Sequence, residues 1–318
     1  MQREGLDRLR LGPFRLAPWF SERPWGRRDL RPWYGSTGTA ELVGEAWLTG
    51  PESVVETGAM AGRTLASVSA QASEVLLGPS GGAEFPLLVK LLFPNDKLSV
   101  QVHPDDRQAQ AMGQPRGKTE CWYVLEADPG ATIALGLREG ATVDAVRAAI
   151  PAGTMEELLD WVPVSVGDMI FVDAGTVHAI GPGVVLLETQ QTCDVTFRMY
   201  DYGRPRELHV EQALRVMKTR TAAGKVRPVA MDGFTRLIEQ KYFVVDRYEV
   251  VGIGEVIVPT DGAGCLIGLS GVAAVIGGPE GQVELVPGRA VVVPVDCRSV
   301  TVETDMGVSF VRCFAPAE

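Results

Sequence analysis

The sequence predicts a mostly β protein built from two related β-barrel domains, with a small helical insertion. Its 36 glycines and 21 prolines are spread along the chain and separate short valine-rich runs, which is typical of an all-β protein with many turns. A second observation is an internal repeat: Gly167–His178 and Gly288–Ser299 both read as a strand, a tight turn and a polar residue, 121 residues apart (288 minus 167). Only the first copy ends in a metal-capable residue. We therefore expect one of the two barrels to carry a metal site.

Composition limits the function classes. The 318 residues suffice for two domains, and no window holds the roughly 18 uninterrupted apolar residues of a membrane span. The first residues mix charges and lack the apolar core of a signal peptide. Five scattered cysteines without a C-x-x-C pair indicate reduced thiols in a cytoplasmic protein. The formal charge of −10 argues against nucleic acid or an anionic membrane as partner.

The basic residues near the start form one local cluster with tryptophans between them. An anionic small substrate would need such a cluster, because the chain as a whole is acidic. A solvated face is nevertheless the favoured interpretation of this one. Its members are Arg23, Arg27, Arg28 and Arg31.

The predicted elements of the first half are mainly strands. The first strands lie within residues 1–60, and residues 59–80 are ambiguous between helix and loop. Leu87–Phe93 is continuously apolar, which predicts a fully buried strand. Further strands are predicted around residues 98–103 and 119–126.

Two breaks in the strand pattern predict helices. Thr142–Ile150 and Met155–Trp161 have helical spacing, with Thr154 as a candidate cap of the second, and they form the predicted insertion near 142–161. Glu207–Lys218 is amphipathic and is predicted to close the first domain as a helix near 207–219. Short strands resume from about residue 230. The expected domains are therefore 1–225, which is catalytic, and 226–318, which is barrel-like and metal-free.

Polar side chains alternate along two of the predicted strands. Ser99, Gln101 and His103 point to one face of the first, and Lys118 and Glu120 alternate in the same way. Inward polar groups are costly unless something binds them. With a histidine from the repeat, the candidate metal ligands are Gln101, His103, Glu120 and His178. This set suits Zn²⁺ and could hold Mn²⁺ or Fe²⁺. From spacing alone, ordinary hydrogen-bonded histidines remain an open alternative.

A second polar run, Glu188–Arg204, interrupts the apolar strands. Arg198 within it can grip a carboxylate or phosphate with two parallel hydrogen bonds, or stabilise an oxyanion. The alternative is an exposed hairpin in which Arg198 pairs with Asp194 or Asp201. The sequence alone slightly favours that alternative.

Several blocks resemble the type I mannose-6-phosphate isomerases. They are Q-V-H-P-D-D, G-K-T-E-C-W-Y-V-L, D-A-G-T-V-H-A-I and E-T-Q-Q-T-C-D-V-T-F-R-M-Y-D-Y-G-R, and they occur in the family's order. W-G, G-E-A-W and R-E-L-H also match, so the resemblance covers residues 10–220. It implies two cupin domains, which are jelly-roll β-barrels. Gly167–His178 then corresponds to the second cupin motif, with Asp173 where proline is usual.

The resemblance also implies roles for individual residues. The zinc ligands, for one zinc per chain, fall on Gln101, His103, Glu120 and His178. In some short bacterial members only the histidines and the glutamate bind zinc directly. The catalytic arginine falls on Arg198, and Glu188 lines the pocket. The phosphate and sugar contacts fall on Ser99, Lys118 and Arg204.

The implied activity is interconversion of mannose 6-phosphate and fructose 6-phosphate by proton transfer through a cis-enediol. Glu188 and Lys118 are both candidates for the proton carrier, and the sequence does not decide between them. A monomer with a sugar phosphate as its partner is expected. Two other classes remain: a cupin iron oxygenase, because two histidines and a glutamate also hold non-haem iron, and a non-catalytic sugar-binding cupin.

Overall fold

We describe the protein from a computed structural model that covers residues 10–35, 41–79, 81–278 and 281–316. Residues 1–9, on which the expectation of no signal peptide rests, lie outside the described residues. No helix in the described ranges is long and apolar enough to cross a membrane. Strands dominate the chain and helices are few and short, so the mostly β prediction is confirmed.

The elements are numbered in chain order. The strands of the first half are β1 (Phe14–Leu16), β2 (Trp19–Arg27), β3 (Val43–Trp47), β4 (Leu87–Leu92), β5 (Val100–Val102), β6 (Glu120–Ala127), β7 (Thr132–Leu137), β8 (Leu159–Pro163), β9 (Met169–Val172), β10 (His178–Ile180), β11 (Val184–Gln191) and β12 (Phe197–Tyr200). Those of the second half are β13 (Gly224–Val226), β14 (Val229–Ala230), β15 (Thr235–Glu239), β16 (Val244–Val250), β17 (Gly254–Pro259), β18 (Gly264–Gly271), β19 (Ala273–Ile276), β20 (Gln282–Leu285), β21 (Ala290–Val293), β22 (Ser299–Thr304) and β23 (Val308–Phe314). The α-helices are α1 (Leu65–Gln71), α2 (Ser73–Leu77), α3 (Asp106–Ala111), α4 (Val143–Ala152) and α5 (Val210–Val216).

The first compact unit comprises residues 20–47 and 88–229. It contains a seven-stranded sheet in the order β13-β9-β6-β11-β4-β3-β2 and a five-stranded sheet in the order β12-β5-β10-β7-β8. One apolar cluster joins side chains of both sheets, with Trp122 at 0% exposure among them. Helices α4 and α5 supply a second cluster against β5 and β12. Two antiparallel sheets around a shared core form the jelly-roll architecture.

Strand β4 confirms the prediction that Leu87–Phe93 forms a buried strand, since every residue from Leu87 to Leu92 is buried. It lies beside β11, which is also buried throughout. Both strands occupy the interior of the seven-stranded sheet. Polar side chains on them therefore have to find partners inside the protein.

The helical insertion differs from its prediction in the second segment. Helix α4 begins after Thr142, whose Oγ1 accepts a hydrogen bond from the Ala145 amide at 3.1 Å. Met155–Trp161 is not an α-helix, because Met155–Leu158 forms a single 3₁₀ turn and the chain then enters β8. Pairing with β7 satisfies the hydrogen-bonding groups of the β8 backbone. This pairing outweighs the helical spacing of the side chains in this segment. The Thr154 side chain caps nothing.

The predicted closing helix is shorter than its pattern. It spans Val210–Val216 rather than about 207–219, because the residues before it bind β12. The His209 amide donates to the Arg198 carbonyl at 2.7 Å, and His209 Nδ1 accepts from the Arg198 amide at 3.2 Å. The ambiguous residues 59–80 include two short helices, α1 and α2.

The second compact unit gathers residues 10–19, 48–87 and 230–316. Its strands form a sheet that includes β1-β21-β18-β23-β16-β15 and a four-stranded sheet in the order β17-β22-β19-β20. The core includes Tyr248 and Phe310, whose rings stack at 5.0 Å. This division thus differs from a cut at residue 225, because two segments from the first third of the chain belong to this unit.

The internal repeat is present in the structure. β9 begins at Met169 and β21 at Ala290, while β10 begins at His178 and β22 at Ser299, so both pairs are 121 residues apart (290 minus 169, 299 minus 178). Each copy is therefore a strand, a turn and a second strand, as predicted.

Candidate active site

Three predicted metal ligands come together at the ends of strands. His103 directly follows β5, Glu120 is the first residue of β6, and His178 is the first residue of β10. Their exposures are 2%, 0% and 1%, respectively. One ligand atom from each lies within 4.8 Å of the others, as three ligands of one ion require.

Backbone carbonyls orient both imidazole rings. His103 Nδ1 lies 2.9 Å from the Val195 oxygen, and His178 Nδ1 lies 2.9 Å from the Thr176 oxygen. A carbonyl can only accept, so each Nδ1 carries the proton and each Nε2 presents its lone pair to the site. This is the tautomer that a metal bound through Nε2 requires.

Glu120 supplies the anionic part of the group. Its Oε1 is buried without a hydrogen-bond partner among the described residues and lies 3.4 Å from His178 Nε2. Its Oε2 accepts a hydrogen bond from Lys118 Nζ, which also lies 3.1 Å from His103 Nε2. An ammonium group thus contacts the donor atoms that a metal would use. The orphaned carboxylate oxygen and the two Nε2 lone pairs fit a divalent cation.

The fourth predicted ligand, Gln101, pairs with His178 across β5 and β10. Its Nε2 lies 3.2 Å from His178 Nε2, while its Oε1 accepts from Ser99 Oγ at 3.4 Å. Rotating the Gln101 side-chain amide by a half-turn would place its Oε1, instead of its Nε2, beside His178 Nε2. Gln101 is therefore adjacent to the trio, and direct ligation stays a prediction.

Burial keeps both histidines neutral. It lowers the pKa of His178 to about 4, opposed by the Thr176 hydrogen bond. Burial, with the nearby charge of Lys118, holds the pKa of His103 well below its usual value of 6.5. Neutral imidazole is the form that binds metal, so the environment favours ligation.

A cavity of about 460 Å³ opens beside the trio. Five predicted site residues line it: Ser99, Gln101, Lys118, Glu188 and Arg198. Further polar residues of its wall are Glu22, Arg23, Glu45, Lys90, Asp194, Thr196 and Arg206. The volume lies in the range of small-molecule sites.

Comparisons with known proteins identify relatives of this chain. The family described as "Phosphomannose isomerase type I, catalytic domain" matches residues 14–140. A mannose-6-phosphate isomerase of Streptococcus mutans is 38% identical over 253 residues, which cover 76% of this chain and 79% of that protein. The crystal structure of the mannose 6-phosphate isomerase from Bacillus subtilis superposes with a TM-score of 0.84 at 29% identity, covering 95% of this chain and 99% of that one.

The chain belongs to the type I mannose-6-phosphate isomerase family. The fold prediction of two cupin domains is confirmed with it, since the mostly β structure superposes on that of a solved family member along almost its whole length. Members of this family are aldose–ketose isomerases, so the family also bears out the prediction of an enzyme.

In this mannose-6-phosphate isomerase family member, two carboxylates and two lysines face the cavity beside the trio. Glu188 Oε1 lies 3.6 Å from Lys118 Nζ, and its Oε2 lies 3.5 Å from Lys90 Nζ. Lys90 Nζ also lies 3.2 Å from Asp194 Oδ1 and 4.5 Å from the centre of the Trp47 ring. Burial would lower the pKa of Lys118, but the charges of Glu120 and Glu188 raise it above its usual value. Lys118 is thus held as a cation.

Lys90 is a site residue that sequence analysis missed. It was treated as part of the continuous apolar run in β4, yet its side chain is only 3% exposed. A lysine inside such a run is itself a signal, because a buried ammonium needs carboxylate partners. The partners Glu188 and Asp194 lie about 100 residues further along the chain, so spacing alone does not reveal them.

Arg198 lies in the cavity wall and not in the hairpin of the alternative interpretation. Its Nη1 donates to the Glu207 carbonyl at 2.8 Å, whereas Asp194 pairs with Lys90 and Asp201 with Arg206. Arg198 Nε is buried without a partner among the described residues. Burial, followed by the charge of Arg206, lowers the pKa of Arg198.

Arg204, the predicted phosphate contact, is not among the residues that line the cavity. Its Nη2 donates to Asp96 Oδ2 at 2.5 Å and to the Lys97 carbonyl at 2.9 Å, and its Nη1 donates to Asp201 at 3.1 Å. Within the described chain, both terminal nitrogens therefore have acceptors already. Two other arginines line the cavity instead: Arg206, to which sequence analysis gave no role, and Arg23, which it assigned to a solvated face.

Proposed function

We propose that this protein is a zinc-dependent isomerase that interconverts mannose 6-phosphate and fructose 6-phosphate. The observation that carries the proposal is a buried trio of two histidines and a glutamate beside a cavity lined with cationic side chains. The names of its relatives, mannose-6-phosphate isomerases of Streptococcus mutans and Bacillus subtilis, indicate the substrate.

His103, Glu120 and His178 would hold the zinc, with Gln101 as a fourth ligand. When bound, zinc supplies a Lewis acid that polarises the oxygens at C1 and C2 of the sugar. The donor set of two imidazoles and one carboxylate matches that of catalytic zinc sites.

Moving a proton between C1 and C2 through a cis-enediol requires a proton carrier beside the sugar. We propose Glu188, because its carboxylate lines the cavity and Trp122 Nε1 orients it from 3.3 Å. Burial raises the pKa of Glu188, opposed by Lys118, which favours proton uptake. Lys118 is the less suitable carrier of the two sequence candidates, because Glu120 and Glu188 hold it protonated.

The remaining roles concern charge. Arg198 would place positive charge near the oxygen that becomes anionic in the enediol step. Ser99 and Lys118 would contact the substrate, and Arg204 stays a predicted phosphate contact that its position outside the cavity wall does not support. No observation favours the oxygenase or the non-catalytic binder. A monomer in the cytoplasm, with a sugar phosphate and no nucleic acid or membrane as partner, is proposed from the sequence.

A coupled assay for fructose 6-phosphate formed from mannose 6-phosphate tests the function. It is run on the protein as purified, after treatment with a chelator, and after zinc is returned. Activity that disappears and then recovers is the expected result. A protein that binds zinc but forms no fructose 6-phosphate in any of the three states would refute the assignment for this substrate.

A further inference from the structure

His209, the one histidine of the chain outside the candidate metal group, is bonded to the backbone of Arg198. Arg198 lies on β12, an edge strand of the five-stranded sheet, and is paired there with Gln101 of β5. On the other side of β12, the Arg198 amide donates to His209 Nδ1 at 3.2 Å, and the Arg198 carbonyl accepts from the His209 amide at 2.7 Å. Both backbone groups of Arg198 are therefore bonded to a single residue.

We propose that His209 is a positioning residue, which fixes the backbone of Arg198 and thereby keeps its guanidinium where the enediol step develops negative charge. The inference rests on the proposed function, in which Arg198 supplies positive charge at that place. It also gives a role to the last residue of the R-E-L-H block.

The pairing of β12 with β5 is irregular beside Arg198. Its register shifts between Arg198 and Tyr200. Such a shift disrupts the ladder locally and re-aims the side chains next to it. Among the described strands, β12 also has no second neighbour in its sheet. The two bonds to His209 therefore supply a constraint on Arg198 that the sheet does not.

His209 is itself fixed by helix α5. Its carbonyl accepts the first hydrogen bond of the helix, from the Ala213 amide at 2.9 Å. Ala213 and Val216 share an apolar cluster with Phe197 and Met199 of β12. The His209 ring also meets the Phe197 ring edge to face, with the ring centres 6.2 Å apart. Helix, imidazole and strand are thus packed together as one unit.

The segment before α5 also contacts the guanidinium of Arg198. Nη1 donates to the Glu207 carbonyl at 2.8 Å, two residues before His209. The buried Nε of Arg198 has no partner among the described residues. One nitrogen of the side chain is therefore anchored, while another donor is left for an acceptor that the protein does not provide.

The bond to the Arg198 amide fixes the tautomer of His209. An amide N–H can only donate, so Nδ1 presents a lone pair and the neutral ring carries its proton on Nε2. This is the reverse of His103 and His178, whose Nδ1 atoms carry the proton. An acceptor at the place of Nδ1 is thus what the proposed role requires. Asparagine can supply one with its Oδ1, whereas leucine has a similar size and no acceptor.

The test compares His209→Leu, which removes the acceptor, with His209→Asn, which keeps one. In the coupled assay, His209→Leu should lower kcat on the order of tenfold with little change in KM, because a misplaced Arg198 fails to stabilise only the transition state. His209→Asn should recover most of that loss, and the zinc content should stay at the wild-type value in both variants. Glu211→Gln, at an exposed pair with Arg147 on the same helix, is the matched control and should change neither constant.

A second comparison, made in the Arg198→Ala variant, shows whether His209 acts through Arg198. Adding His209→Leu to Arg198→Ala should lower kcat no further, because the guanidinium that His209 positions is already absent. A merely structural residue would instead lower kcat by the same factor in both backgrounds.

Thermal unfolding shows whether each variant is folded at the assay temperature. His209→Phe, which keeps a ring against Phe197 and lacks the acceptor, replaces His209→Leu if the latter does not fold. Equal losses of kcat in the two backgrounds, or a folded variant without the acceptor that has wild-type kcat, would overturn the proposal. Failure of the proposed function is a different result, because the wild type itself would then not isomerise mannose 6-phosphate.

Discussion

At the scale of single residues, the site is set by which atom of each side chain is already bonded. Nδ1 of both His103 and His178 is taken by a backbone carbonyl, so Nε2 is the atom left for chemistry. Oε2 of Glu120 accepts a hydrogen bond from Lys118, whereas its Oε1 has no hydrogen-bond partner among the described residues. Within the described part of the chain, Arg198 bonds to none of these three side chains, and its guanidinium donates to the Glu207 carbonyl. The proposed metal site and the proposed role of Arg198 can therefore be tested separately.

This separation predicts the behaviour of Arg198→Ala. Removing a preorganised cation from a developing oxyanion should lower kcat about 100-fold or more. The zinc content should stay at the wild-type value, because none of the three ligands bonds to Arg198. Turnover is measured in the coupled assay and zinc by elemental analysis of the same sample. Loss of zinc in parallel with activity would contradict the role.

The proton carrier can be identified by comparing Glu188→Gln with Asp194→Asn. Both carboxylates line the cavity and approach Lys90, but only Glu188 is buried. Glu188→Gln should lower the rate of exchange between the substrate C2 hydrogen and deuterated water by 100-fold or more. NMR follows that exchange directly. A larger loss in Asp194→Asn would transfer the role to Asp194.

At the scale of secondary-structure elements, alternation along strands predicted much of the site. A strand periodicity of two places Ser99, Gln101 and His103 on one face. The structure agrees, because Ser99 Oγ donates to Gln101 Oε1 and both Gln101 and His103 lie beside His178. Arg23, Lys90 and Arg206 could not be found in this way. The carboxylate partners of Lys90 are distant along the chain, and the cavity wall combines residues from separate segments. The helix predicted over Met155–Trp161 is wrong for a related reason. The residues of β8 pair with β7, although the spacing of their apolar side chains is helical.

In the second unit, three adjacent strands share one buried carboxylate. Asp246 on β16 is 0% exposed and faces Arg236 on β15 at 2.8 Å and Arg312 on β23 at 3.6 Å. Asp246→Ala would remove the shared carboxylate but leave Arg312 its contact with Asp261 at 2.7 Å, so we expect the free energy of unfolding to fall by about 1.5–3 kcal/mol. Urea unfolding measures this. Glu249→Ala removes an exposed carboxylate from the same strand and should cost about 1 kcal/mol or less.

At the scale of the whole molecule, the chain contains the same strand–turn–strand motif twice, but only the first copy carries a candidate metal ligand. The residue that opens the second strand is His178 in the first unit and Ser299 in the second. Among the described residues, the only group of three metal-capable side chains is His103, Glu120 and His178. The duplicated fold thus supplies two similar barrels, while the candidate metal ligands of one barrel lie at the ends of three separate strands. The sequence repeat predicts the two barrels. It does not show that the three ligand residues are neighbours, because they become neighbours only when the fold brings their strands together.

This arrangement predicts one zinc per chain, bound by the first unit. Elemental analysis of the zinc-loaded protein should give a stoichiometry of one, and His178→Ala should abolish it while Ser299→Ala leaves it unchanged. Because the ligands converge only in the folded chain, zinc should also stabilise the fold, by about 4 kcal/mol when free zinc is a thousand times the dissociation constant. The thermal midpoint should therefore fall with chelator and recover with zinc in the wild type and in Ser299→Ala, but not respond in His178→Ala. Two zinc ions per chain would show that metal binding is not confined to this one site, and a wild-type midpoint that zinc does not move would contradict the expected stabilisation.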